Sequence, residues 1–240
     1  DGDLYFQADG LDESRHVFIN GVQLPERLAQ DGPIAVAEVG FGLGLNFYAA
    51  CACLERHGGS NAQLEYLAIE RRPPCAADFR HTAKRFPEIA GYAETLADRW
   101  LSPLKGWTRI RFSDRVRLTL VFGDAAIESA EIPDACVDAW FLDGFAPQRN
   151  GDAWSDAILD NVARTARPGA TLATFTAVGD IRRGLERRGF SVTRRPGFGR
   201  KRHCTTAQRN GAWAPRRRPG LTRITGSGVA GYAAAAALRD

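Results

Sequence analysis

The chain has 240 residues, 44% of them hydrophobic, and a formal charge of +4, enough to bury one full core with little room for a second domain. No apolar run reaches the roughly 18 residues of a membrane-spanning helix, and Asp1 to Gln7 lacks the basic and apolar stretches of a secretory signal, so a soluble, cytoplasmic protein is expected. Methionine is absent and the first residue is Asp1, so the sequence reads as a trimmed or partial product.

In chain order, Asp3 to Gly21 reads as two short strands, LYFQ and HVFIN, making a hairpin outside the main sheet. From Ile34 onward, apolar runs bounded by Gly, Pro and Asp alternate with stretches of helical spacing, the pattern of a parallel α/β sheet. Strands are predicted at Ile34–Val39, Leu64–Ile69, Arg117–Phe122, Val137–Leu142 and Ala170–Phe175, with Phe190–Arg194 and Cys204–Gln208 as a closing antiparallel pair. Helices are predicted near Asn46–His57, Cys75–Arg85, Ile89–Leu101, Ser155–Ala166 and Gly179–Arg188. The segment Arg182–Arg218 holds thirteen Lys/Arg against one acid, Glu186, so the rest of the chain is net acidic and the basic strip suggests a polyanionic partner. Residues 1–211 form the expected domain and 212–220 a basic linker. Residues 221–240 read as a strand, a G-x-G-x-x-G turn at Gly226, Gly228 and Gly231, and the start of a helix. This matches the opening of a dinucleotide-binding unit, but the acid expected about 20 residues further on would lie past Asp240, so the piece cannot form a cofactor site by itself.

The residues able to carry chemistry stand at predicted strand ends. Glu38-Val-Gly40-Phe41-Gly42-Leu-Gly44-Leu-Asn46 lies between the first strand and a helix, where alternate glycines let the backbone approach a ligand beside free N–H groups. Its spacing fails the dinucleotide pattern, so NAD is not expected. The E-x-G-x-G-x-G form instead resembles the first motif of class I methyltransferases, whose loop wraps the amino-acid part of S-adenosylmethionine. Glu70, ending the second strand, can accept both ribose hydroxyls, and Asp124 follows the third strand where such enzymes commonly contact adenine; an N-cap role is the structural alternative for either acid. After the fourth strand come Asp143, Phe145 and Pro147, an acid, an aromatic ring and a stiffening proline. They suit alignment of an amine on a planar base, with Asp143 orienting the amine and Phe145 stacking on the base. The five cysteines include no C-x-x-C pair and the four histidines are scattered, so neither a metal site nor a Ser-His-Asp triad is expected.

Six ordered segments, HVFINGVQLPERL, EVGFGLGLNF, LVFGDA, DAWFLDGFAPQRN, TLATFTAVGDIRRGLERRGF and PGFGRKR, resemble the methyltransferase domain of the tRNA 5-methylaminomethyl-2-thiouridine biosynthesis bifunctional protein family, MnmC. The resemblance implies a Rossmann-like, largely parallel seven-stranded sheet with helices on both faces. It also implies methyl transfer from S-adenosylmethionine to the 5-aminomethyl group of a wobble uridine in tRNA. Glu38, Gly40, Phe41, Gly42, Gly44, Asn46, Glu70, Asp124 and Asp143 would then face the cofactor, with Asp143 and Phe145 acting on the acceptor. Arg200, Lys201 and Arg202, with Arg216, Arg217 and Arg218, would meet phosphates. A flavin domain follows in that family, so FAD is expected only in a longer parent and not on this chain, which is expected to be a monomer. Leu43, Gly151 and His203-Cys204 depart from the family's usual threonine, proline and acid–methionine. A small-molecule amine methyltransferase and a silent RNA-binding module on the same fold are the alternatives.

Overall fold

The computed structural model describes residues 9–100, 106–144 and 154–216. Its sheet has eight strands: β1 Gly32–Val39, β2 Ala62–Glu70, β3 Gly106–Arg111, β4 Val116–Phe122, β5 Val137–Leu142, β6 Ala166–Thr174, β7 Phe190–Pro196 and β8 His203–Arg209. Their order is β3-β4-β2-β1-β5-β6-β8-β7. The five central strands are parallel, while β3 pairs antiparallel with β4, β8 with β6, and β7 with β8. The helices are α1 Gly10–Glu13, α2 Leu24–Leu28, α3 Leu45–His57, α4 Ala76–Arg85, α5 Ala90–Arg99, α6 Ala125–Glu128, α7 Asp156–Thr165 and α8 Gly179–Arg187.

Two apolar layers sandwich the sheet, and the strand alternation assigns residues to them. Val36, Tyr66 and Phe141 join Phe47 of α3 and Phe79 of α4 on one face. Ala37, Val39 and Trp140 join Ile158 and Val162 of α7 and Leu185 of α8 on the other. Among the described residues, no helix is long and apolar enough to cross a membrane.

The class I methyltransferase architecture expected from the sequence is present, with two corrections. The segment HVFIN is helical rather than a hairpin strand: a π-helical turn, Ser14–Ile19, continues directly from α1. Leu11, Ser14, Phe18 and Val22 are all buried, and they fall three to four residues apart. That is the period of a helix; the run Val17-Phe18-Ile19 mimics a strand only because the π turn brings all three inward. LYFQ lies outside the described residues. The sheet also gains a strand, β3, that the sequence pattern does not flag. Of its six residues only Ile110 is buried, and Arg109 and Arg111 are exposed, a composition suited to an edge strand that must not pair further.

Candidate functional site: a crevice at the carboxyl ends of the parallel strands

Strand order reverses around β1, which has β2 on one side and β5 on the other, so the connections leaving β1 and β5 open a crevice at their carboxyl ends. Four neighbouring strand ends then deliver the predicted residues in a row. Asp124 follows β4, Glu70 ends β2, the loop Gly40–Gly44 follows β1, and Asp143 follows β5.

Gly40, Gly42 and Gly44 all hold positive φ, so the loop depends on glycine at each of the three positions. Gly40 has φ +91°, and a Cβ there would lie 2.6 Å from the backbone oxygen of Asp143, so the loop and the acid meet backbone to backbone. Gly42, at φ +52°, has nothing within 4 Å of its Cβ position and leaves that face open. The Glu70 carboxylate braces the loop, accepting from Gly42 N–H at 2.9 Å and from Arg72 N–H at 2.8 Å. Asp124 is the N-cap of α6, accepting from Ala126 N–H at 2.9 Å, which is the alternative role raised from the sequence.

Two motif residues expected at the cofactor turn inward. Phe41 is 3% exposed and packs on Phe47 and Phe79. Glu38 is 1% exposed, and both its oxygens are taken: Oε1 accepts from Asn46 Nδ2 at 2.7 Å and Oε2 from Tyr66 O–H at 2.8 Å. A direct cofactor contact is therefore closed to Glu38. Asn46 spends its second amide hydrogen on Asp143 Oδ2 at 2.8 Å, while its own Oδ1 is buried without a partner. Burial pushes the Asp143 carboxyl up to about 7; the Asn46 hydrogen bond opposes this, the nearby Glu13 adds to it, and Lys201 opposes it. A carboxyl that changes charge near neutrality can both accept and release a proton there. Phe145, predicted to stack on the acceptor, lies outside the described residues.

The basic strip divides. The turn between β7 and β8 stands at the crevice end of β6, because β8 runs antiparallel to it with Thr174 opposite Thr205. Arg200 and Arg202 are exposed there and make no ion pair among the described residues. Lys201 differs from the sequence expectation: its Nζ lies 2.7 Å from Glu13 Oε1 and 4.4 Å from the centroid of the Phe175 ring. Arg216 sits at the opposite end of the sheet. Its Nε is 3.0 Å from Asp138 Oδ2, and it also donates to the carbonyl of Cys136, so it serves as an internal counter-ion and not as a phosphate ligand. Arg217 and Arg218 lie outside the described residues.

Tyr66, Glu13 and the Asp138 cluster were not singled out from the sequence. Tyr66 carries no local signal: the register that pairs it with Val36 is what places it on the face that also carries Glu38. Among the described residues no group of three His, Cys, Asp or Glu is placed to hold a metal ion.

Comparison with known proteins identifies the family and the fold. A family model described as S-adenosyl-L-methionine-dependent methyltransferase matches residues 87–210, just over half of the chain. Curated relatives carrying the name tRNA 5-methylaminomethyl-2-thiouridine biosynthesis bifunctional protein MnmC include one from Pseudomonas aeruginosa, 42% identical over 99% of this chain and 38% of its own length. Another, from Thiobacillus denitrificans, is 41% identical over 100% of this chain and 39% of its own. The chain thus spans less than two-fifths of the relatives it matches. A solved structure titled MNMC2 from Aquifex aeolicus superposes with a TM-score of 0.72 at 23% identity, covering 90% of this chain and 67% of that one, a likeness of fold. Since that family model matches more than half of its residues, the chain belongs to the S-adenosyl-L-methionine-dependent methyltransferases.

Proposed function

We propose that this chain methylates the 5-aminomethyl group of wobble 5-aminomethyl-2-thiouridine in tRNA, giving 5-methylaminomethyl-2-thiouridine. The observation that carries the reading is the row of strand ends. An acid titrating near neutrality stands next to the glycine loop on the side facing the exposed Arg200 and Arg202, so an acceptor attached to a polyanion can reach it. The name of the curated relatives supports the substrate. The protein would act as a cytoplasmic monomer, and residues from 221 onward, outside the described residues, would open a flavin domain belonging to a longer parent.

The residues present fit the family's cofactor. The open face at Gly42 admits its amino-acid part, the unpartnered Asn46 Oδ1 is an acceptor for its ammonium, and Glu70 and Asp124 keep lone pairs for ribose and adenine. When bound, S-adenosylmethionine supplies an electrophilic methyl group on positively charged sulfur. The chain supplies alignment and a place for a proton. With Asp143 Oδ2 held by Asn46, Oδ1 accepts a hydrogen from the acceptor amine and takes up its proton, leaving the nitrogen lone pair available for attack.

Two outcomes test this assignment. Glu70→Ala removes the brace on Gly42 together with a charged acceptor, and S-adenosylmethionine affinity by calorimetry should weaken by about 1.5–3 kcal/mol. Unchanged affinity would remove Glu70 from the cofactor site. Replacing Arg200 and Arg202 by alanine should make the slope of log tRNA affinity against log salt shallower by about 1.4–1.8, at roughly 0.7–0.9 per phosphate contact. A slope indifferent to both substitutions would count against tRNA as the polyanion.

A further inference from the structure

Under the crevice floor a line of polar groups runs from Asp143 and Asn46 down to Glu38 and Tyr66, two side chains to which the transfer reaction as described gives no role. Tyr66 O–H meets Glu38 Oε2, Asn46 Nδ2 meets Glu38 Oε1, and the same Nδ2 meets Asp143 Oδ2, at 2.8, 2.7 and 2.8 Å. Tyr66 stands on β2, Glu38 on β1, Asn46 on the first turn of α3 and Asp143 just past β5. Their spacing is therefore set by the register of three parallel strands. Tyr66, Glu38 and Asn46 are 1%, 1% and 3% exposed. One neutral amide thus bridges two carboxyls, and among the described residues neither carboxyl has a Lys or Arg paired with it.

Two full negative charges on a single amide, out of water, would repel strongly and lose their solvation. Retaining one proton between them relieves both costs. The deeper carboxyl is Glu38; Asp143 opens to the crevice and lies within the field of Lys201. We propose that Glu38, Asn46 and Asp143 form a unit holding one proton, on Glu38, and that neutral Glu38 with Tyr66 is the positioning device that keeps Asn46, and through it the Asp143 carboxylate, aimed at the acceptor. The role of the unit rests on the methyl-transfer reading above; its proton count does not.

The surroundings agree. Burial drives Glu38 well above the usual carboxylate range, and the charges of Asp143 and Glu70 push the same way against the bonds from Asn46 and Tyr66. The groups felt by Asp143 are Asn46, Glu13 of α1 and Lys201 of the β7–β8 turn. Tyr66, whose own ionisation is pushed up by burial and by Glu38, stays a neutral hydroxyl able to donate to Glu38 or accept from it. Asn46 can face both carboxyls only through its NH2, which explains why its Oδ1 is left over.

The test has one arm that needs no substrate. In protein carrying 13C-labelled Glu and Asp side-chain carboxyls, the Glu38 signal, assigned by its loss in Glu38→Gln, should keep the shift of a neutral acid throughout the ionisation of Asp143, whose signal moves with a midpoint near 7. A Glu38 signal with a carboxylate shift at pH 7 would overturn the proposal. The second arm is kinetic and uses S-adenosylmethionine with aminomethyl-uridine tRNA. Glu38→Ala should lower kcat at least tenfold with little change in KM and displace the pH midpoint, and Glu38→Gln, a permanently neutral stand-in, should recover most of the loss and return the midpoint to wild type. Tyr66→Phe should show a smaller loss of the same kind. If the glutamine variant is as impaired as the alanine variant, Glu38 works as an anion and the proposal fails. If wild-type protein methylates no tRNA, the substrate assignment fails instead, and the carboxyl titration still decides where the proton is.

Discussion

Replacing Asp143 by asparagine should lower single-turnover methylation of aminomethyl-uridine tRNA by about 100-fold or more, the size of a general-base contribution, while S-adenosylmethionine still binds. The asparagine keeps an oxygen to accept from Asn46 Nδ2 and loses the charge that titrates near 7. Wild-type turnover should rise with pH through about 7 as Asp143 ionises, and the variant should lack that rise. Stability moves the other way. Because folding raises this carboxyl from the ordinary acidic range to about 7, its contribution is fully present below the unfolded value and is lost as pH rises through 7. The asparagine variant, with nothing to ionise, should therefore melt no lower than wild type at pH 8. Near-normal turnover would reduce Asp143 to a turn-forming residue, and loss of cofactor binding would move it to the donor side.

The largest effect on stability is expected at the opposite end of the same strand. Asp138, the second residue of β5, is fully buried and accepts from Ala35 N–H at 2.9 Å and Trp213 Nε1 at 3.0 Å, while pairing with Arg167 and Arg216. Arg27 is anchored beside it through the carbonyls of Asp138 and Gly169 and stacks over Trp213. Asp138→Ala would leave these guanidinium groups facing one another with an unsatisfied amide between them. Removing one partner from a buried pair costs about 3–5 kcal/mol, and since the Arg167 and Arg216 side chains stay 22% and 29% exposed, about 3 kcal/mol is expected. For a chain of this size that lowers Tm by roughly 6–12 °C. A shift below about 2 °C in thermal denaturation would show that water replaces the carboxylate at little cost.

How far these features can be read from the sequence depends on what fixes them. The glycine loop, Glu70 and Asp143 are legible because their chemistry is local: a strand ends, a glycine or an acid follows, and the parallel topology brings the strand ends together. β3 is not legible, because an edge strand with one buried residue carries almost no alternation. The helical turn over Ser14–Ile19 is obscured by three adjacent apolar residues. The inward turn of Glu38 and its bond to Tyr66 depend on strand register, and the capture of Arg216 by Asp138 joins positions 78 residues apart. In a string of arginines, nothing local distinguishes one that will be an internal counter-ion from one left for solvent.

The contact between Gly40 and the backbone of Asp143 carries a mechanical consequence. Since even a methyl group at Gly40 would collide with that carbonyl, the span from the glycine loop to Asp143 is a main-chain dimension, stiffened by the ladder that joins β1 to β5. Such a wall has little compliance, and methyl transfer is sensitive to misplacement on the scale of 1 Å. Across from that ladder, α1 and the β7–β8 turn are tied by a side-chain contact, the ion pair of Glu13 with Lys201, and not by main chain. On the methyl-transfer reading, the distance from loop to carboxyl would thus be a property of the backbone and insensitive to side-chain substitutions around it.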